Sequence, residues 1–77
     1  MGGVTNQRDL KGFGAHVRQL RLARHLSQEQ LAAGAGIHRT YLSGVERGAR
    51  NPSLNNILRL ARALSLHPSD LFPKHKA

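Results

Sequence analysis

The sequence predicts an all-α fold, a compact bundle of about five short helices. Three observations carry that expectation. Apolar residues recur at steps of three and four along most of the chain, the period that gathers them on one side of a helix. Residues that start and stop helices bracket those runs: Ser27, Ser53 and Pro68 at starts, Gly36 and Gly48 at ends. Strict apolar–polar alternation, the mark of a half-buried strand, is nearly absent.

The first helix is expected from Asp9 to His25, with Leu10, Phe13, Val17 and Leu20 on one face. Asp9 suits its start, where a negative charge meets the positive end of the helix dipole. The second covers about Gln28 to Ala35. Ser27 can accept from the Gln30 N–H while the Gln30 amide reaches back, a capping box. Gly36 ends it by taking the left-handed conformation that other residues resist. A third short helix runs from His38 or Arg39 to Arg47 and stops at Gly48. Ala49 to Ser53, "ARNPS", reads as a loop punctuated by Pro52. Ser53 then caps a fourth helix whose buried face carries Leu54, Ile57, Leu58, Ala61 and Leu64. Pro68 suits the first position of a fifth, Pro68 to Phe72.

This divides the chain into a flexible leader (1–8), one domain (9–73) and a loose basic tail (74–77). The leader, "MGGVTN", completes no lipidation pattern, because Asn6 stands where Ser or Thr is wanted. It also lacks the apolar centre of a secretion signal. No apolar run approaches the roughly 18 residues of a membrane span.

The chain has 77 residues and no cysteine, so disulfides and thiolate metal sites are excluded. The cell interior is the natural compartment for such a chain. A core this small is marginal, and a dimer contact would help it. Twelve Lys and Arg stand against four Asp and Glu, a net charge of +8. Such an excess favours polyanionic partners through long-range attraction and counterion release. A solvated surface tuned for solubility, a ribosomal protein and a membrane-surface protein are the other readings of the same charge.

Helices two and three, at about 28–47, form a helix-turn-helix across the glycine. A helix with its side chains is about as wide as the major groove of DNA, so one helix can lie in it. Such a helix must be apolar behind and polar in front. Ile37, Leu42 and Val45 can face inward, and Arg39, Thr40, Ser43 and Gly44 then share the opposite side.

Three stretches, "LSQEQLA", "AGIHRTYLSGVERG" and "NPSLNNILRLARAL", resemble the lambda-repressor-like, Cro/C1-type helix-turn-helix family, also called XRE. The likeness runs from about Phe13 to Phe72. Within that family, "HRTYLSGVERGARNPSL" is similar to the controller proteins of restriction–modification systems, which are stand-alone dimers of about this length. The resemblance implies a regulator of transcription that binds operator DNA. Carried over by position, it places Gln28 against a backbone phosphate. It puts His38, Arg39 and Thr40 at base edges, with Ser43 and Gly44 one turn later on the same face. Arg47, Arg50 and Asn51 fall where the following loop meets phosphates, and Arg21 and Glu46 match an internal salt bridge.

The sequence departs from the family pattern at several places. His38 replaces the usual Ser or Thr cap, which weakens capping or lets the imidazole itself touch DNA. His25 and Ser65 stand where glycine is common, so strain is expected there. Gly34 loosens helix two, and Gly44 has no side chain to read a base, though it allows close approach to a duplex.

The residues also carry duller readings. Arg39 can present two donors to guanine, or be an ordinary exposed arginine. Thr40 can meet a thymine methyl or a phosphate, or only water. Tyr41 reads as a half-buried packing residue with its hydroxyl at the surface rather than as a stacking platform. Arg47 and Arg50 read as phosphate binders, while Arg18, Arg24, Arg59 and Arg62 read as solvated. Glu46 would repel phosphate from a DNA-facing surface, which favours its pairing with Arg21. Leu66, Leu71 and Phe72 offer more apolar surface than the core needs, and so either form a dimer contact or are wholly buried. No two of the five histidines share the i, i+4 spacing of a metal pair, and the four acids are scattered, so neither a metal, a cofactor nor catalysis is expected.

The function expected is therefore sequence-specific binding of double-stranded DNA by a homodimer on a two-fold operator. The family would place it in the cytoplasm of a bacterium, encoded there or by a phage, and on the nucleoid when bound. An activator would also touch RNA polymerase, and no surface for that contact stands out. Two other readings are an antitoxin built on the same fold and a non-specific nucleic-acid-binding or interaction module.

Overall fold

The computed structural model describes residues 6–74. Residues 1–5 of the expected leader and 75–77 of the expected tail, with His75, lie outside them. Among the described residues there are four α-helices and one 3-10 turn: α1 (Gln7–Ala23), α2 (Gln28–Ala35), α3 (Arg39–Glu46), α4 (Leu54–Ala63) and the turn Pro68–Leu71.

Helix α1 starts two residues earlier than Asp9 suggested. Asn6 is its cap, and its side-chain oxygen accepts from the N–H groups of Arg8 (2.9 Å) and Asp9 (3.4 Å). Asp9 sits in the first turn, where its charge still favours the dipole. The expected leader therefore overlaps the helix at residues 7–8. The Ser27–Gln30 capping box is present, with both bonds made, at 3.0 and 2.8 Å.

All four helices end in the same way. A residue with positive φ follows the last turn, at His25 (58°), Gly36 (72°), Gly48 (76°) and Ser65 (57°). The N–H one residue further on bonds back to a carbonyl five residues upstream, at Leu26, Ile37, Ala49 and Leu66. Two of the four positions carry a β-carbon, which the left-handed region disfavours. That strain at His25 and Ser65 is the one the sequence led us to expect.

The fifth element is shorter than expected. Pro68 opens it, but Pro73 disfavours helical geometry in the residue before it, and Phe72 is extended (φ −98°, ψ 133°). One 3-10 turn remains. His67 and Asp70 cap it reciprocally, and His16 of α1 reaches the Asp70 carbonyl at 2.8 Å.

The helices close into a ring around one core. Helix α3 packs on α1 and α2, α4 packs on α2, and the 3-10 turn joins α4 back to α1. Val17, Leu42, Val45, Leu60 and Leu71 are completely buried, with Leu31, Leu64 and Ala61 close behind. Two expectations for α4 fail. Leu54 is 71% exposed, and Leu60, not expected inside, is at the centre. The apolar residues of α4 cover more than half its circumference, and the axis of contact with α2 and the turn selects the Ile57–Leu60–Ala61–Leu64 side. Leu71 is core rather than spare surface.

Candidate nucleic-acid interface

The site is built outward from the buried side of α3. Leu42 and Val45 anchor the helix, and Ile37 in the turn packs half-buried against the same core. His38 caps α3 by backbone geometry alone, with no side-chain hydrogen bond, so its imidazole is left exposed. The remaining side presents Arg39, Thr40 and Arg47 to solvent, with Ser43 partly covered. Eight residues give a rod about 12 Å long, with no acid on its outer side.

The one acid of α3 is turned inward. Glu46 is 7% exposed and takes a bidentate contact from Arg21, Nε to Oε2 at 2.8 Å and Nη2 to Oε1 at 3.0 Å. Arg21 Nη1 also donates to the Leu26 carbonyl at 2.8 Å. The hydrogen bond to Glu46, against the opposing effect of burial, holds the Arg21 guanidinium above its ordinary value. The pair removes negative charge from the outer surface and ties α1 to α3.

Gln28 opens α2, the position the resemblance gives it. Its Nε2 donates to Glu46 Oε1 at 3.0 Å, so the amide is part of the buried network. Gln28 as a whole is partly exposed. Gly44 does not lie open for a duplex: it is buried, and the stem of Arg50 covers it. The resemblance puts Gly44 on the outer face, and in the structure the Arg50 stem takes up the space beside it. Arg50 itself is exposed at its head, as is Asn51 in the following loop.

Three features of this site went unread in the sequence. Gly14 of α1 faces the last turn of α3 with no room for a side chain, and Gly48 faces the backbone of Lys11 just as closely. Arg59 of α4 donates to the carbonyl of Gly36 at 3.4 Å and steadies the turn. Arg50 lies over the Tyr41 ring. A glycine on the same face as Val17 and Arg21 is the signal that could have revealed the first.

Away from α3, Phe72 is 49% exposed and its ring tilts against Phe13 at 5.2 Å between centroids. It borders an open groove with Leu10, Pro52 and Ile57. Leu66 is partly buried against the core, and Leu71 is wholly inside it. Among the described residues no helix is long and apolar enough to cross a membrane.

Two short helices across a left-handed glycine, with a cationic outer side on the second, define a helix-turn-helix protein. The Helix-turn-helix family (HTH_3) matches residues 17–71, and the chain belongs to it. It is similar to control protein C.BamHI of Bacillus amyloliquefaciens, 52% identical over 60 residues, covering 77% of this chain and 74% of the relative. Its fold resembles the restriction–modification controller protein C.AhdI from Aeromonas hydrophila, with a TM-score of 0.84 and 55% identity over 84% of this chain and 98% of that one. The controller protein C.Esp1396I, solved as a tetramer on its natural 35 base-pair operator, aligns with a TM-score of 0.75 and 27% identity, over 80% of this chain and 82% of that one.

Proposed function

We propose that the chain is a sequence-specific DNA-binding regulator of transcription, of the kind that controls restriction–modification genes, and that it acts in the cytoplasm as a two-fold dimer on an operator. The observation that carries this reading is the outward side of α3: Arg39, Thr40 and Arg47 are exposed, Arg47 with its Nε 3.5 Å from Ser43 Oγ, while the single acid of that helix is sequestered. A helix so charged can enter the major groove without repelling phosphate. The similarity to control proteins supports the same reading over an antitoxin or an interaction module. Nothing in the site gathers an acid, a base and a nucleophile, and we read the chain as a binding protein rather than an enzyme.

Arg39, with His38, Thr40 and Ser43, is assigned to base edges. Gln28 is assigned to phosphate through its remaining N–H, and Arg47, Arg50 and Asn51 to phosphate along the following loop. Selection from random duplexes tests the whole reading. A recurrent two-fold motif is expected, and recovery of unrelated sequences overturns it. Arg39→Ala is expected to cost about 1–3 kcal/mol on the selected duplex and to relax one position of the motif. Arg50→Ala should weaken all duplexes alike and lower the salt slope by about one. Competition assays at several salt concentrations check both, and equal sequence-blind losses would contradict the division of roles.

The dimer contact is assigned to Phe72 and Leu66 with the groove beside them, which join two α3 helices about 34–36 Å apart. Leu71, completely buried, takes no part. Phe72→Glu is expected to shift the protein to monomers in sedimentation and to abolish preference for two-fold sites. A dimer of unchanged mass would place the contact elsewhere.

A further inference from the structure

Arg50 follows α3 in the loop, yet its side chain does not extend away from that helix. The backbone N–H groups of Ala49 and Arg50 both bond to the Gly44 carbonyl, at 2.8 and 3.2 Å. The Arg50 stem then crosses Gly44 so closely that a β-carbon there would stand 2.6 Å from Arg50 Cγ. Beyond it, the guanidinium carbon lies 5.9 Å from the centre of the Tyr41 ring, within reach of cation–π attraction. Tyr41 and Gly44 are one turn apart, so the ring and the bare backbone make one continuous seat on the flank of α3.

We infer that Tyr41 and Gly44 are positioning residues for Arg50, holding its guanidinium against the flank of α3 so that the cation meets DNA already placed; this rests on the DNA-binding reading above. A free arginine loses rotamer freedom when it binds, and one already seated loses less, so the same contact is stronger. The glycine is explained as well. Any side chain at position 44 would lift the stem off the helix. Tyr41, which the sequence marked only as a packing residue, gains a second task through its ring face.

Two measurements test the seat. In the free protein, the Arg50 side-chain proton resonances should be displaced by the ring current of Tyr41, the chain's one tyrosine. Tyr41→Leu and Gly44→Ala should both abolish that displacement, and Tyr41→Phe should keep it. On a duplex selected by the unaltered chain, Tyr41→Leu and Gly44→Ala should each weaken binding about two- to fivefold, the worth of an exposed cation–π contact. Tyr41→Phe should bind as the unaltered chain does. In an Arg50→Ala background neither Tyr41→Leu nor Gly44→Ala should have a further effect. Gly44→Ala should keep the helical circular dichroism of the unaltered chain at the temperature of the binding measurement, and this separates positioning from loss of fold. Absence of the ring-current displacement overturns the inference, as do undiminished losses in the Arg50→Ala background. If the unaltered chain selects no duplex, the DNA reading fails while the resonance measurement still decides on the seat.

Discussion

Glu46→Ala is expected to remove most of the chain's stability. The Glu46 carboxylate takes hydrogen bonds from Arg21 Nε and Nη2 and from Gln28 Nε2. Removing it strands the guanidinium of Arg21, a residue 6% exposed, with only the Leu26 carbonyl as partner. Neutralisation offers no escape, since an arginine holds its proton at any pH where the protein is handled. Removing one member of a buried pair costs about 3–5 kcal/mol. Native domains hold about 5–15 kcal/mol in all, and small ones sit at the low end. Circular dichroism in a urea series reads the effect as a collapse of the midpoint. The double change Arg21→Met with Glu46→Leu should recover much of the loss, because apolar replacement of a whole buried pair is often neutral or better. A Glu46→Ala protein within about 1 kcal/mol of the unaltered chain, below the usual cost of a broken buried pair, would show that α1 and α3 are held by packing alone.

What the sequence revealed divides along the range of the interactions involved. Caps and stops are local: Ser27 with Gln30, Ser53, Gly36 and Gly48 act within a few residues of themselves, and each stands where its chemistry placed it. The Arg21–Glu46 pair spans 25 positions and was legible only through the family pattern. Periodicity gave α4 but not its inward line, because seven apolar residues, from Leu54 to Leu64, leave several lines open and only the packing of α2 chooses among them. Asn6 is the cap of α1, while the charged Asp9 three residues later offers a competing start in the sequence. The burial of Gly44 depends on where a loop arginine lies, and that was not written in any spacing. The outer side of α3 was anticipated for Arg39 and Thr40 because their neighbours Leu42 and Val45 had to face in.

Gly14→Ala and Gly12→Ala are the same chemical change two positions apart on one helix, and they are expected to differ in sign. Each gains up to about 1 kcal/mol of helix propensity. At Gly12 nothing lies within 4 Å of the added carbon, so the gain is kept. At Gly14 the carbon would run into the Val45 carbonyl oxygen and stand 2.7 Å from the Glu46 oxygen and 2.8 Å from its carbon. Those are backbone atoms of α3, which cannot swing aside as a side chain can. Either α3 moves bodily off α1 or the clash persists, at a cost of about 1–3 kcal/mol for overpacking. Movement would also strain the Arg21–Glu46 bridge, since its two ends sit on the two helices being parted. For a chain of this size each kcal/mol shifts the melting temperature by about 4–8 °C. Thermal denaturation of the two variants side by side should therefore separate them clearly, Gly12→Ala at or above the unaltered chain and Gly14→Ala well below it. Equal melting temperatures would mean that α1 and α3 do not approach closely at Gly14. The orientation of the reading helix would then rest on the ion pair and the core leucines alone.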